Sequence, residues 1–380
     1  MEQETLVFEG ATLVLPDRLI EGRLVLVEGK IKGVGDVPTS KGSTRYQVPR
    51  LYIAPGFIDL QVNGGVGHNF SDVDPEGMRK ATEFHLRHGS TGLLATLITA
   101  PIERIRRALE VARAVDVSNV LGIHLEGPFI SPKRKGAHNP AHILKPSLSA
   151  FQELVSGYED FMRIVTLAPE LPGAEELIGR IREGGAVPAL GHSDASYEQA
   201  LAALEQGVKL FTHLFNAMPP FHHRAPGAVG AALDSDAYVG LICDEVHVHP
   251  AVVRLVAKIK GYDRICLVSD AISAAGLPDG EYSLGGLPVF VKEGVARLSD
   301  GTLAGSTLTM DRAVRNFLEF TGCSLPEAVR CAALNPARLL GIDDRKGSLA
   351  VGKDADLVIF DADLTVHYTV LGGKVVYAKP

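Results

Sequence analysis

The sequence has 380 residues, of which 46% are apolar, 22% charged and only 6% aromatic. It is too apolar for a disordered chain, too interrupted for a coiled coil, and long enough to bury a large core without disulfides. Lys and Arg number 38 against 45 Asp and Glu, a formal charge of −7, which argues against nucleic-acid or anionic-membrane binding. Cys243, Cys266, Cys323 and Cys331 lie far apart with no CxxC, so they read as buried small hydrophobes of a reducing compartment. The acidic start MEQETLVFEG lacks a signal-peptide h-region, and no apolar run approaches the roughly 18 residues of a membrane span. A soluble, cytoplasmic, globular protein is expected.

In chain order, the first 50 residues alternate apolar and polar positions between turn residues, the pattern of short antiparallel strands. The texture then changes. Eight apolar runs follow, each ending in a polar cluster: 52–61, 93–99, 120–127, 163–170, 187–194, 209–216, 239–246 and 265–271. Helical stretches lie between most of them, including 76–88, 102–115, 174–184, 196–206 and 250–260. Strands buried on both faces and separated by helices make parallel βα units, and eight of them predict an α/β protein with a (β/α)8 barrel. The last segment, LVIFDADLTVHYTVLGGKVVYAKP, returns to short strands. The two end segments should pair beside the barrel as a small β-sandwich domain, since chain ends are often close. The expected division is 1–53 and 345–380 for the small domain and 54–344 for the barrel.

A barrel of this kind builds its active site at the C-terminal ends of its strands. The runs close on Asp59-Leu60-Gln61-Val62-Asn63, His124-Leu125-Glu126, Gly191-His192-Ser193-Asp194, Thr212-His213, Asp244 with His247, and Ser269-Asp270. A lone His at a strand end is usually an ordinary hydrogen-bonded residue. Ligand-type residues at four strand ends together are not a coincidence. Glu126, His192 and His213 would supply O, N and N ligands to a divalent metal, with a fourth position open to water, as in catalytic zinc sites. Bound Zn²⁺ can lower the pKa of water from 15.7 to about 7. Asp270 follows the apolar ICLVS, which should raise its proton affinity and suit it to general-base and general-acid work. Asp194 reads as the N-cap of the helix that follows it.

Two further segments face substrate. Lys135-Gly136-Ala137-His138-Asn139 lies in the long loop after the third run, where specificity elements belong. The stretch from Asn216 and Ala217 through His222, His223 and Arg224 to Gly227 offers backbone amides, an Arg and imidazoles suited to a phosphate group. No GxGxxG, Walker A or GxSxG motif is present, which argues against a dinucleotide, ATP or a serine hydrolase.

Along its whole length the chain resembles the amidohydrolase superfamily, and within it the N-acetylglucosamine-6-phosphate deacetylases. The resemblance rests on PGFIDLQVNG (55–64), HLEGPFI (124–130), KGAHNP (135–140), GHSDA (191–195), THLFNAM (212–218), DEVHVHP (244–250), LVSDA (267–271), LAGSTLTM (303–310), NPARLLG (335–341) and KGSLAVGKDADLVIFD (346–361). It implies hydrolysis of the acetamide of N-acetylglucosamine 6-phosphate to glucosamine 6-phosphate and acetate, with Glu126, His192 and His213 as metal ligands and Asp270 as base and acid. It also implies that His138 polarises the amide carbonyl and that Asn216, Ala217, Arg224 and His247 hold sugar and phosphate. A homodimer is the expected assembly. Many amidohydrolases carry His-x-His at the end of strand one, where this chain has Gln61 and Asn63. The departure resembles the single-metal branch, so one tightly bound metal is expected, with a weaker second site that includes Gln61 left open. Zn²⁺ is the expected ion, and Fe²⁺, Co²⁺ and Mn²⁺ also suit O/N donors. The competing readings are a deacetylase of another acetylated sugar phosphate such as the galacto epimer, another amidohydrolase, and a catalytically silent barrel scaffold.

Overall fold

The computed structural model describes residues 5–39, 42–115 and 117–380; residues 1–4, 40 and 41 of the expected first β segment lie outside them. Eight parallel strands form one sheet: β1 (Phe57–Val62), β2 (Ser90–Ile98), β3 (Val120–Glu126), β4 (Met162–Leu167), β5 (Val187–Leu190), β6 (Leu210–Phe211), β7 (Tyr238–Leu241) and β8 (Ile265–Leu267). All nine residues of β2 are buried, as a strand covered on both faces requires. The sheet closes through the loop after β8. The Asp270 amide donates to the Gln61 carbonyl at 2.9 Å, and the Asn63 amide donates to the Ala271 carbonyl at 2.7 Å. The ends of β1 and β8 are therefore one hydrogen-bonded unit.

Helices wrap this barrel, among them α1 (Pro75–Arg87), α2 (Ile102–Ala114), α3 (Leu148–Val155), α4 (Ala174–Glu183), α5 (Tyr197–Gln206), α6 (Gly227–Leu233), α7 (Pro250–Lys260) and α8 (Met310–Thr321). Their starts follow local chemistry. Asp74 caps α1, with Pro75 in its first turn, and Ser147 caps α3. One apolar cluster runs from barrel to helices and includes Cys243, Cys266 and Cys331.

The first apolar run, expected as a single strand over 52–61, is two. Tyr52–Pro55 pairs with strands of the chain ends, and at Gly56 the backbone changes partners, after which Phe57 donates to the Gly89 carbonyl beside β2. The strand 357–360 lies between 52–55 and 366–371, so both chain ends share one eight-stranded sheet with an apolar cluster of its own. After β8 the chain builds a feature that the sequence reading missed. Gly280–Leu284, Leu287–Lys292 and Val295–Arg297 form a small antiparallel sheet. Its turns, Gly285-Gly286 and Glu293-Gly294, are the hairpin signals that would have found it.

Candidate active site

Glu126 is the last residue of β3, His192 lies two residues beyond β5 and His213 two beyond β6. Parallel register brings all three to one rim. Glu126 Oε1 is 3.1 Å from His192 Nε2 and 2.9 Å from His213 Nε2, and the two Nε2 atoms are 3.1 Å apart. Among the described residues these three form the group of His and Glu able to hold one metal ion, and all three are buried.

The donor set fits such an ion. His192 Nδ1 lies 2.9 Å from the Arg134 carbonyl, which can only accept, so Nδ1 carries the proton and the Nε2 lone pair faces Glu126. Burial alone would raise the Glu126 carboxyl, but bonds and charge from His192 and His213 hold it well below the usual carboxylate range. Burial would likewise lower His213, and Glu126 pushes it up instead. A carboxylate and two ring nitrogens in mutual contact call for one positive charge between them, a proton or a metal ion.

Buried hydrogen bonds link the strands that carry these side chains. His124 Nδ1 donates to the Leu60 carbonyl at 2.9 Å, so His124 Nε2 accepts from Thr166 Oγ1 at 2.7 Å, and Thr166 in turn accepts from Thr212 Oγ1 at 2.7 Å. This one-way chain spans β1, β3, β4 and the end of β6, and burial lowers His124 to about 4, which keeps it neutral. Gly191 fits against it. A Cβ there would come within 2.8 Å of both Thr166 and Thr212.

Glu170 holds the turn after His192 by accepting from Ser193 Oγ at 2.7 Å and the Asp194 amide at 2.6 Å. Asp194 is not the cap of α5. Ser196 is, its Oγ accepting from the Gln199 amide while the Gln199 side chain reaches back to the Ser196 amide. Asp194 is occupied otherwise, accepting from Arg134 Nε at 2.8 Å and Lys133 Nζ at 3.1 Å. It thereby ties the 131–139 loop to the His192 turn.

Asp270 sits across the rim, in left-handed backbone geometry with φ of 51°. His192, His213, Phe215 and Ala217 also have positive φ, at 49°, 30°, 78° and 53°. Each such non-glycine residue costs on the order of 1–3 kcal/mol, and strain of this kind gathers where function fixes a side chain. Asp270 Oδ1 accepts from Asn63 Nδ2 at 2.7 Å and Gln61 Nε2 at 3.2 Å. Gln61 Nε2 also donates to Glu126 Oε1 at 2.9 Å. Two carboxylates demand a donor, so the Gln61 amide presents its NH2, not its oxygen, to the centre. Burial pushes Asp270 up to about 7, with the Glu126 charge adding to the rise.

A cavity of about 390 Å³ opens on this centre. Glu126, His138, His192, His213, His247 and Asp270 line it, as do Asn216 and Ala217. His247 is held by Asp244, Nδ1 to Oδ2 at 2.6 Å. The Asn216 side chain donates to the His213 and Leu214 carbonyls and so braces its own turn. Arg224 is elsewhere. It is exposed, off the cavity wall, and bonds to His223 at 2.8 Å. The cationic groups that do line the cavity, Lys133 and Arg134, were missed from sequence, as were Leu284 and Thr302 on and after the small post-β8 sheet.

A barrel with carboxylate and imidazole donors at its C-terminal rim is the architecture of a metal-dependent hydrolase. The amidohydrolase family model matches residues 52–376, and the chain belongs to that family. Within it, the chain is 39% identical over 387 residues to the N-acetylglucosamine-6-phosphate deacetylase of Bacillus subtilis, covering 98% of both. It is 38% identical over 362 residues to the N-acetylgalactosamine-6-phosphate deacetylase of Escherichia coli O157:H7, covering 94% of this chain and 95% of that one. A Mycobacterium smegmatis deacetylase variant in complex with N-acetyl-D-glucosamine-6-phosphate superposes with a TM-score of 0.93 at 36% identity, covering all of both chains. No helix among the described residues is long and apolar enough to cross a membrane.

Proposed function

We propose that this protein hydrolyses the acetamide of N-acetylglucosamine 6-phosphate to glucosamine 6-phosphate and acetate, with Glu126, His192 and His213 holding one Zn²⁺ ion per chain. The observation that carries the reading is the convergence of that donor cluster and Asp270 on one cavity, in a chain similar throughout to deacetylases of this substrate class. A divalent cation in the cluster would polarise the amide carbonyl and acidify water.

The chain's own groups then divide the work. Asn63 and Gln61 both hold Asp270 Oδ1, which leaves Oδ2 to take the proton of water as its oxygen adds to the carbonyl carbon. His138 donates to the carbonyl oxygen as negative charge develops there. Asp270 returns the proton to nitrogen as the C–N bond breaks. Asn216, Ala217 and His247 hold the sugar. Arg224 serves the phosphate from the exposed 219–226 loop, and its distance from the cavity wall favours a homodimer whose second copy completes that end. The setting is the cytoplasm.

A second reading is hydrolysis of the galacto epimer, favoured by a relative of that activity at 38% identity. Acetate release from both epimers, with and without the 6-phosphate and before and after metal removal, tests all of this. Metal-dependent turnover of the phosphorylated gluco sugar alone is the expected result. Faster turnover of the galacto epimer selects the second reading, and turnover without phosphate overturns the phosphate assignment.

A further inference from the structure

His138 has to present a hydrogen, not a lone pair, to a carbonyl oxygen, and a neutral imidazole carries only one N–H. Which nitrogen carries it depends on what the other nitrogen meets. At His138 the other nitrogen meets a single residue twice. The Thr99 backbone N–H donates to His138 Nδ1 at 3.3 Å, and the Thr99 hydroxyl lies 2.8 Å from the same atom. A backbone N–H cannot accept. A proton on Nδ1 would face it donor to donor, so Nδ1 is the acceptor of both contacts and the proton resides on Nε2.

We propose that Thr99, one residue past the end of β2, is a positioning residue that fixes the His138 tautomer so that Nε2–H faces the substrate carbonyl. This rests on the reading of His138 as the donor to that oxygen. Thr99 is fully buried and is not one of the three metal-type residues, and its hydroxyl is hydrogen-bonded to His138, through which its effect passes. The His192 ring, edge-on at 4.3 Å between centroids, confines the face of the His138 ring and leaves its direction to Thr99.

A second observation points to the same hydroxyl. Gly127, immediately after Glu126, has φ of +82°, and a Cβ there would lie 2.3 Å from Thr99 Oγ1. The glycine of HLEGPF is therefore the residue that leaves room for the Thr99 hydroxyl. Substitution at 127 would displace it from Nδ1 even with Glu126 in place.

The test uses zinc-loaded protein labelled with ¹⁵N at histidine, His138 being assigned by the resonances lost in His138→Gln. The wild-type spectrum should show the His138 proton on Nε2. In Thr99→Val only the 3.3 Å backbone contact remains, so the Nδ1–H tautomer should become detectable. Its kcat should fall about tenfold, the size usual for lost partners of active-site imidazoles, with KM within about twofold of wild type. Thr99→Ser keeps the hydroxyl and should restore both spectrum and kcat. A wild-type proton on Nδ1 overturns the proposal, and so does a Thr99→Val protein with unchanged tautomer and unchanged kcat. If Thr99→Val fails to fold, the wild-type spectrum and Thr99→Ser decide alone. Wild-type protein that carries Nε2–H yet releases no acetate from either sugar phosphate upholds the tautomer and removes the functional reading instead.

Discussion

At the closed end of the cavity Glu126, His192, His213 and Asp270 are between 3% and 8% exposed, and the chain grips each of them through its neighbours. Off the cavity wall, in the loop after β6, Phe221, His222, His223 and Arg224 are all exposed, and the two imidazoles bond within the loop, His222 to the Arg224 amide and His223 to the Arg224 guanidinium. Both regions follow strand ends and both are rich in His, yet only the first is preorganised. The contrast separates two tasks. In the proposed reaction, bond breaking needs groups fixed against a developing charge, whereas a loop proposed to serve a distant phosphate would need only to deliver charge to roughly the right place.

Four experiments would break or sharpen that contrast. Glu126→Gln should have the largest effect, because the cluster loses the charge that binds the cation. Wild-type protein should keep close to one zinc per chain after dialysis, and the variant should lose both metal and turnover. Two equivalents in wild type, or an active variant that still binds zinc, would refute the arrangement given to the closed end. Asp270→Asn should cost about three or more decades in kcat, judged by the size of general-base contributions, with zinc content unchanged.

The pH profile comes next. Burial, with the Glu126 charge adding, pushes Asp270 up to about 7, and a base works only when deprotonated. Activity is therefore present above that limb and falls about tenfold per pH unit below it. A cation in the cluster favours the carboxylate and moves the limb to lower pH, so in loaded enzyme it should lie at or below about 7. A limb well above pH 7, or a rate that rises as pH falls, would remove Asp270 from the mechanism. Arg224→Ala should have the smallest effect, a rise in KM of about tenfold with kcat little changed and the pH limb in place, since it touches binding far from the chemistry. Loss of kcat as large as that of Asp270→Asn would mean that the Arg224 loop and the closed end of the cavity do not act separately.

The closed end was legible in sequence because each buried strand announces its own end. An apolar run that turns polar marks the rim, so Glu126, His192, His213 and Asp270 could be read without knowing any contact. Their supports could not. Thr99 and His138 are 39 residues apart, and Glu170 and Ser193 are 23 apart; nothing local links either pair. Asp194 shows the limit in the other direction. Its position before a helix suits a cap, but Ser196 lies closer to the first turn and has Gln199 as its partner, which frees Asp194 for Arg134. Arg224 was readable as a type of residue and not as a place, because the direction of an exposed loop is set by packing.

The sheet that joins the chain ends bears on how the molecule is made. The strand at 52–55 waits for its neighbour at 357–360, about 300 residues later, which at 5–20 residues per second is roughly 15 to 60 s of synthesis. During that time the edge of Tyr52–Pro55 is open to any other strand, its own twin on a neighbouring ribosome included. The strand is only four residues long, which offers such a stranger little to hold.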